Sequence, residues 1–504
     1  EVGEGEGRTP WDRLTGLGVR VQGPSGVTLR NLRVHGYRVG LHATKADGLT
    51  IDGGDYSDNW RKRLGSTATA EDSSDWMFPH RNDENEWLRK YAAAVYVEDS
   101  SGVTVRGVRV RRGQHGVILD NVQRSRVYDN DASFLSGWGL ALWRSSDNVV
   151  SRNAFDFCVR GHVEGVYNRG QDSAGILAFE QCNRNVFAEN SATHGGDGFF
   201  GFGGLEAIGE GWWGDERQRL RTALGPEGLR GARATLAAST GNADWNDPAK
   251  RSDDAVLNEV ITVPPEMTAR LWALGSNDNL LIDNDFSYAP AHGIEMTFSE
   301  GNMFVRNRLV GNAICGVWGG YSSNTLIAGN LIQDNGGMAY GMERGGVNIE
   351  HGANNQILDN DFVNNKCAVH LWWDRDWPLL RYPGVAGKPA GVVGNVIAGN
   401  RFVINEDHPF TAERHRNQPI LALQLRDAGT GNVRDNVWRD NEVSIRDAAR
   451  AAGAKEFDIA PGAEPVGLPG AAEPATLRFP PVPVEDWRTL IPSYEVLGES
   501  RPVG

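Results

Sequence analysis

The chain repeats a short pattern along most of its length, and this repeat limits the folds that it can adopt. Residues 292–330 hold two nearly equivalent copies, in which Gly293-Ile-Glu-Met corresponds to Gly316-Val-Trp-Gly, and a run from Asn302 to one from Asn324. Successive copies are about 22 to 24 residues apart unless an insertion intervenes. A unit of this length is too short to be a domain, so it predicts one coil of a solenoid.

Each copy has the form Asn-x-apolar-x-x-Asn-x-apolar, followed by Gly-apolar-x-apolar. Clear copies begin at Asn148, Asn185, Asn279, Asn355 and Asn395. The alternation predicts two or three short strands per coil, while Asn and Gly favour left-handed turns and stacked Asn side chains can hydrogen-bond between coils. Leucine-rich repeats need a Leu-x-x-Leu-x-Leu frame and propellers need blades of about 40 residues. The pattern therefore predicts an all-β, right-handed parallel β-helix.

These coils resemble the pectate-lyase-like β-helix superfamily, in particular its carbohydrate-binding and sugar-hydrolysing repeats. The resemblance covers roughly residues 17–445. It implies a protein that binds or acts on polysaccharide, because such families include glycoside hydrolases, polysaccharide lyases, epimerases and phage tailspikes. The sequence lacks the clustered Asp motifs and Arg-Ile-Lys of polygalacturonases, so the resemblance implies no particular catalytic residues.

The pattern predicts a β-helix over residues 1–447 with insertions at about 56–91 and 204–277, and an irregular segment over 448–504 that packs on or caps the coils. Long insertions on one face of a solenoid commonly build its binding site. We therefore expect them to form walls of a cleft over the coils from Gly175 to Ala368, which favours an exo-acting enzyme or short substrates. Helical segments are predicted at 58–64, 83–90, 215–224 and 228–239.

Composition excludes several partners. The 504-residue chain has a net charge of −14 and no basic runs, which argues against nucleic acid and anionic membranes. No apolar run approaches the roughly 20 residues that span a bilayer. The quoted sequence contains no signal peptide, but the resemblance leads us to expect a secreted or periplasmic protein. The oligomeric state is not predicted.

Cysteine and tryptophan content bears on the kind of site. The four cysteines have neither C-x-x-C nor zinc spacing, which predicts packed thiols, and we predict no metal and no cofactor. The 16 tryptophans are unusual, because exposed indole rings commonly pack or stack on a flat partner such as a sugar ring. A poly- or oligosaccharide is therefore the expected partner.

Strand parity, counted from the glycine of each coil, predicts which side chains face outward. The first and third residues after glycine point inward, as for Ile294 and Met296. The second position reads, in successive coils, Leu177, Phe200, Glu295, Trp318, Asn348 and His370. The fourth reads Phe179, Phe202, Thr297, Gly320, Glu350 and Trp372. Aromatic side chains beside carboxylates predict a glycan site, although Phe179, Phe200 and Phe202 are expected to pack beneath the second insertion.

Glycoside hydrolysis needs an acid and a carboxylate that acts as base or nucleophile. We predict Glu295 as one catalytic carboxylate and Asp197, Glu206 or Glu350 as its partner. Asp197, on a neighbouring coil, suits the short separation of a retaining pair, whereas Glu350, two coils away, suits an inverting pair. The residues predicted to bind substrate are Glu180, His292, Trp318, Asn348, His370, Trp372 and Arg344. Among these, the histidines would bind hydroxyls or tune a carboxylate, and the tryptophans would stack on sugar rings.

Two other functions remain open from the sequence. A lyase or epimerase acting on a uronate glycan needs a base and a cation for the uronate carboxylate, for which Arg344 and Arg375 are candidates. A non-catalytic, tailspike-like binder would use the same tryptophans without chemistry.

Overall fold

The computed structural model describes residues 10–23, 25–78, 81–162, 169–338, 342–373, 381–386, 388–389, 391–405, 420–426, 433–446 and 454–459. Within these ranges, parallel strands from successive coils stack into long sheets, as a β-helix requires. The first sheet contains β1 Leu17–Gln22, β3 Val39–Thr44, β5 Val95–Ser101, β7 Val117–Gln123, β9 Trp138–Trp143, β11 Ala174–Phe179, β13 Asp197–Phe202, β15 His292–Thr297, β18 Cys315–Trp318, β21 Gly345–Glu350, β24 Cys367–Trp372, β28 Ile420–Arg426 and β32 Ala454–Ile459.

The other strands complete each coil. The second sheet contains β2 Thr28–Arg33, β4 Thr50–Asp55, β6 Thr104–Arg109, β8 Arg126–Tyr128, β10 Val149–Ser151, β12 Val186–Ala188, β14 Leu280–Ile282, β16 Met303–Val305, β19 Leu326–Ala328, β22 Gln356–Leu358, β26 Val396–Ala398 and β30 Val437–Arg439. The third contains β17 Arg308–Val310, β20 Leu331–Gln333, β23 Asp361–Val363, β27 Arg401–Asn405 and β31 Glu442–Arg446, and a short pair joins β25 Val392–Val393 to β29 Val433–Arg434. The predicted two or three strands per coil are confirmed.

Asparagine ladders explain why the repeat carries Asn at fixed places. In each ladder a buried amide donates to the side-chain oxygen of the next coil and to a backbone carbonyl, so that turn groups inside the solenoid are satisfied. One ladder runs through Asn130, Asn153, Asn190, Asn284, Asn307, Asn330, Asn360, Asn400 and Asn441.

The charge-introducing substitution Asn307→Asp is expected to destabilise the fold by about 3 kcal/mol or more at neutral pH. It places a carboxylate where the Asn307 amide now donates to Leu281 O at 2.9 Å and to Asn330 Oδ1 at 3.1 Å, inside the solenoid. Urea denaturation measures the change. The matched variant Asn354→Asp, at an exposed turn with φ of 56°, should stay within about 0.5 kcal/mol of the native protein. Equal losses for the two variants would contradict a role for the ladder.

The glycine of each coil marks a close approach between neighbouring turns. A Cβ on Gly293 would lie 2.7 Å from Gly316 O and 2.7 Å from the Asn312 amide nitrogen, which is closer than side-chain carbons come to such atoms. Only glycine fits there. Its position therefore determines which residues of the following strand point inward and which point outward.

The first insertion joins β4 to β5 and differs from its prediction. Residues 58–64 are not helical, and the predicted helix at 83–90 is reduced to a π-helical turn at Trp87–Tyr91. The Trp87 ring lies 4.7 Å from Trp138, 5.4 Å from Trp143 and 6.4 Å from Phe179. The insertion therefore packs on outward side chains of the first sheet. Burial of its aromatic residues against that sheet, and not helical periodicity, determines its conformation.

The chain divides into two compact units, and the smaller comprises Leu205–Leu274 and Asp376–Lys388. Its helices are α1 Leu205–Ile208, α2 Glu210–Thr240, α3 Asp253–Val260 and α4 Pro265–Trp272. The two helices predicted at 215–224 and 228–239 are confirmed as halves of α2, which breaks at Gly225, with φ of 59°, before Pro226. Inside this unit, the buried Arg233 donates to Trp245 O and Arg251 O.

The C-terminal segment predicted as irregular over 448–504 contains β32, which pairs with β28 and extends the first sheet. The rest of that segment lies outside the described residues. All four cysteines are buried and free, as predicted. Among the described helices, none is long and apolar enough to cross a membrane.

Candidate functional site

The predicted outward row exists on the first sheet. Phe200 pairs in register with Glu295, Glu295 with Trp318, Trp318 with Asn348, and Asn348 with His370. The alternate residues Ile294, Met296, Val317, Val347, Ile349, Val369 and Leu371 lie in the hydrophobic core. The parity counted from glycine is therefore correct for these coils.

Three ionisable side chains meet where β13 and β15 begin. His292 Nδ1 lies 3.0 Å from Glu295 Oε2 and 3.2 Å from Asp197 Oδ1, and the His292 backbone N–H donates to Asp197 Oδ1 at 2.8 Å. His292 and Glu295 lie three residues apart on one coil, while Asp197 reaches them from the preceding coil. The Asp197 neighbour predicted for the Glu295/His292 pair is thus in place.

Each carboxyl group of this cluster keeps one oxygen free. His292 holds Asp197 Oδ1 and Glu295 Oε2, whereas no described residue hydrogen-bonds to Asp197 Oδ2 or Glu295 Oε1, and both of these oxygens are accessible to solvent. One oxygen of each carboxyl group lies within 4.8 Å of the other. Each carboxyl group therefore keeps an oxygen that can exchange a proton with a ligand.

Burial and hydrogen bonding shift the proton affinities in this cluster. Burial raises the pKa of Asp197 to about 6, and the hydrogen bonds from His292 oppose that shift only in part. Burial disfavours the imidazolium of His292, but its hydrogen bonds to Asp197, Cys315 and Glu295 outweigh burial and raise its pKa well above the ordinary value. His292 is therefore a cation held between two carboxyl groups at neutral pH.

A cavity of about 250 Å³ opens onto the cluster. Its lining comprises Arg169, Asp172, Asp197, Phe200, Phe202, Ala291, Glu295, Thr297, Phe298 and Trp318. The Trp318 ring stacks on His292 with ring centres 5.8 Å apart and planes 20° from parallel. Aromatic walls around a few convergent polar groups are typical of a site for a small ligand.

Two charged residues of the cavity were missed by the sequence reasoning. Arg169 pairs with Glu343, although the two residues are far apart in the chain, and Asp172 precedes β11 by two residues. Both come from the excursion that follows Cys158, which has no periodicity from which a side-chain direction can be read. The only available signal was the presence of two charges within six residues before the coil glycine Gly175.

The predicted binding residues of later coils do not line this cavity. Asn348 and His370 are fully buried, and the Trp372 indole N–H donates to Asn348 Oδ1 at 2.8 Å, while Asn348 Nδ2 lies 3.0 Å from His370 Nδ1. Arg344 is also buried, and it donates to Gln424 Oε1. In this arrangement Trp372 presents no free ring face comparable with that of a sugar-stacking platform.

The remaining predicted carboxylates have other surroundings. Glu180 is buried in an ion pair with Arg144, whose Nε donates to it at 2.9 Å. Glu350 lies 3.6 Å from His351 Nε2, and Glu206 belongs to α1 of the smaller unit. None of these three joins the Asp197–His292–Glu295 cluster, so their catalytic or binding roles stay predictions. Arg375 lies outside the described residues.

The aromatic residues expected beneath the second insertion pack with the first one. Phe179 and Phe200 belong to one buried cluster with Trp87, Trp138 and Trp143. The Phe179 ring centre lies 4.7 Å from Phe200 and 5.6 Å from Phe202. This cluster forms one side of the cavity through Phe200 and Phe202.

Two family models match parts of the chain. The model described as right handed beta helix region matches residues 258–378, and the one described as periplasmic copper-binding protein (NosD) matches residues 6–195. The chain is a right-handed β-helix protein. Each match covers less than half of the chain, so neither assigns a narrower family within this fold.

Solved structures resemble this β-helix protein at low identity. The A-module of mannuronan C-5 epimerase AlgE6 from Azotobacter vinelandii is 11% identical, with a TM-score of 0.35 over 90% of this chain and 91% of that chain. The catalytic unit of a GH87 α-1,3-glucanase from Streptomyces thermodiastaticus is 10% identical, with a TM-score of 0.34 over 93% of this chain and 66% of that chain. PfbA, a surface adhesin of Streptococcus pneumoniae, is 10% identical, with a TM-score of 0.35 over 89% of this chain and 82% of that chain. Such similarity concerns the fold alone. A comparison with curated proteins finds no match.

Proposed function

We propose that this β-helix protein is a glycoside hydrolase that uses Asp197 and Glu295 as its catalytic carboxyl groups. The observation that carries the proposal is a pair of carboxyl groups on neighbouring coils that line an aromatic-walled cavity, with oxygens within 4.8 Å of each other and one oxygen of each group free. Cleavage of a glycosidic bond needs two such groups and no cofactor. The substrate is a poly- or oligosaccharide, and a secreted or periplasmic location belongs to the same proposal.

The separation of the two groups favours a retaining reaction. Oxygens within 4.8 Å of each other match the roughly 5 Å of retaining pairs better than the roughly 6.5–9.5 Å of inverting ones. Glu295 attacks the anomeric carbon, the glycosidic bond breaks, and Asp197 gives its proton to the departing oxygen. Asp197 then takes a proton from water, whose oxygen attacks the same carbon and releases Glu295. His292 holds one oxygen of each group and thereby fixes their geometry.

A lyase or epimerase acting on a uronate glycan is the second candidate, and Arg169 favours it. Its guanidinium lines the cavity, where a uronate carboxylate would need a cation. Glu343 already pairs with Arg169, which weakens this argument relative to that for hydrolysis.

Copper, which the NosD description names, does not fit the described residues of the matched region. Within the described part of residues 6–195, no group of three His, Cys, Asp or Glu side chains converges as metal ligands. Asp197, His292 and Glu295 do present three potential ligand atoms outside that region. We assign Asp197 to proton transfer, Glu295 to nucleophilic attack and His292 to positioning, and a chelator tests the assignment.

Incubation with a panel of polysaccharides and oligosaccharides tests the proposal. We expect new reducing ends without absorbance near 235 nm (roughly where unsaturated uronates absorb), and products that keep the anomeric configuration of the substrate by NMR. Treatment with EDTA should not change the rate. Unsaturated products would identify a lyase, inversion would reject the short-range pair, and binding without products on any glycan would reject the enzyme.

A further inference from the structure

A second polar cluster lies on the outward face of the first sheet, towards the N-terminus from the cavity. Thr44, Glu98 and Asp120 occupy the same outward position on β3, β5 and β7 and pair in register. His42 and Tyr96 are register partners two residues earlier on β3 and β5. Side chains at these positions stand beside one another at the coil spacing of about 4.8 Å.

Glu98 is held on one oxygen and free on the other. Its Oε1 accepts a hydrogen bond from Thr44 Oγ1 at 2.7 Å and lies 3.1 Å from His42 Nε2. Its Oε2 has no hydrogen-bond partner among the described residues and is accessible to solvent. The carboxylate is therefore held in one orientation, and Oε2 remains available as a hydrogen-bond acceptor.

Asp120 has the same arrangement. Its Oδ2 accepts from Tyr96 Oη at 2.6 Å and from Asn82 Nδ2 at 2.8 Å, and Asn82 belongs to the first insertion. The residue is 8% exposed, yet its Oδ1 has no hydrogen-bond partner among the described residues and still reaches solvent. A buried carboxyl group with one free, accessible oxygen is the pattern already seen for Asp197.

The two groups have different proton affinities. Burial raises the pKa of Asp120 to about 6, while the hydrogen bond from His42 is the largest of the effects that lower the pKa of Glu98. In mildly acidic solution Asp120 is a hydrogen-bond donor and Glu98 is an acceptor. The pair can therefore bind one hydroxyl group as donor and another as acceptor.

This cluster is separate from the catalytic cavity. β7 and β13, which carries Asp197, are three coils apart in the first sheet, which corresponds to about 14 Å at about 4.8 Å per coil. Between them, the outward side is covered by the buried cluster of Trp87, Trp138 and Trp143. One sugar residue cannot contact both clusters, and the aromatic residues interrupt the sheet face that joins them.

We propose that Glu98 and Asp120 form a second carbohydrate-binding site, in which their free oxygens bind hydroxyl groups of a sugar residue. Fixed carboxylates are strong hydrogen-bond partners for hydroxyl groups. A calcium ion prefers six to eight oxygen ligands, which two carboxylates do not provide. The site would hold a glycan on the protein apart from the cavity where it is cleaved.

Binding to an immobilised array of poly- and oligosaccharides tests the site. The array is probed with the Glu295→Gln variant, so that bound glycans are not cleaved, and then with Glu98→Gln or Asp120→Asn added. In binding buffer at about pH 7.5, above the pKa of about 6 of Asp120, we expect at least one glycan whose affinity falls about 10-fold or more with either addition, because each removes a charge-assisted hydrogen bond. The control Glu189→Gln, which removes one charge from an exposed residue of another coil, should leave binding unchanged.

Three outcomes would overturn the proposal. These are unchanged affinities with both additions, no glycan retained at all, and equilibrium dialysis that shows a calcium ion lost with Glu98→Gln. If Asp120→Asn fails to fold, Glu98→Gln alone decides, since Gln keeps the shape and the acceptor of Glu98. Glu98→Gln in the otherwise native protein should keep full hydrolysis, so the second site and the catalytic pair are tested independently.

Discussion

Glu295→Gln lowers the rate of glycan hydrolysis at least about 100-fold and leaves the β-helix folded. Gln keeps the size of the side chain and an oxygen for the hydrogen bond to His292 Nδ1, now at 3.0 Å, but it cannot attack an anomeric carbon. Initial rates on the substrate found in the panel measure the loss. Thermal unfolding should change little, because the substituted atoms face the cavity rather than the core.

The exposed Glu189 supplies the matched control, and Glu189→Gln should keep the native rate. Exogenous azide should restore part of the activity of the shorter variant Glu295→Gly, which leaves room for the anion in place of the nucleophile, and should give a glycosyl azide. A near-native rate for Glu295→Gln would make Glu295 a surface acid. The catalytic groups would then have to be sought among Glu180, Glu206 and Glu350.

The sequence was sufficient for the fold because every coil repeats the same physical requirements. Glycine is needed where neighbouring turns approach, and Asn is needed where buried turn groups require a partner, so both recur at fixed spacing. Counting from Gly293 gave the correct direction of Glu295 and Trp318. The first insertion was wrong in its helices because Trp87 is placed by packing on Trp138 and Trp143, not by local periodicity.

The candidate site could be predicted only as far as the repeat extends. The register between β13 and β15 brings Asp197, His292 and Glu295 together, and the coil repeat predicts that register. Arg169 reaches the cavity from an excursion whose path no periodicity describes. Trp372 was expected to stack on sugar, but its N–H is bonded to the buried Asn348, and burial of an outward position depends on what covers the sheet.

The same parity also assigns an outward direction to residues that the prediction did not consider. Glu98 and Asp120 occupy the fourth position of their coils, equivalent to Thr297 and Glu350 farther along the sheet. The predicted outward row begins at Leu177, so it does not include these two residues. Departures from an apolar pattern are informative on every coil, including those far from the insertion-rich middle of the chain.

Asp197→Asn is expected to remove the acid function and with it the alkaline limb of the pH profile. In the native protein the pKa of Asp197 is raised to about 6 by burial, so the protonated fraction falls about tenfold for each pH unit above that value. The ratio kcat/KM should therefore decline above about pH 6 on a natural glycan. Asn cannot donate a proton in this way, and the rate at pH 5 should fall about 100-fold or more.

An aryl glycoside with a good leaving group separates the acid from the nucleophile. Such a substrate needs little help from a proton donor, so Asp197→Asn should cleave it at a rate much closer to native, with a flat alkaline profile. Glu295→Gln should stay inactive on it. His292 remains protonated over this range because its pKa is raised well above the usual value, so it does not produce the limb near pH 6. A native pH profile in Asp197→Asn would exclude Asp197 as the acid and leave His292 as the proton donor beside Glu295.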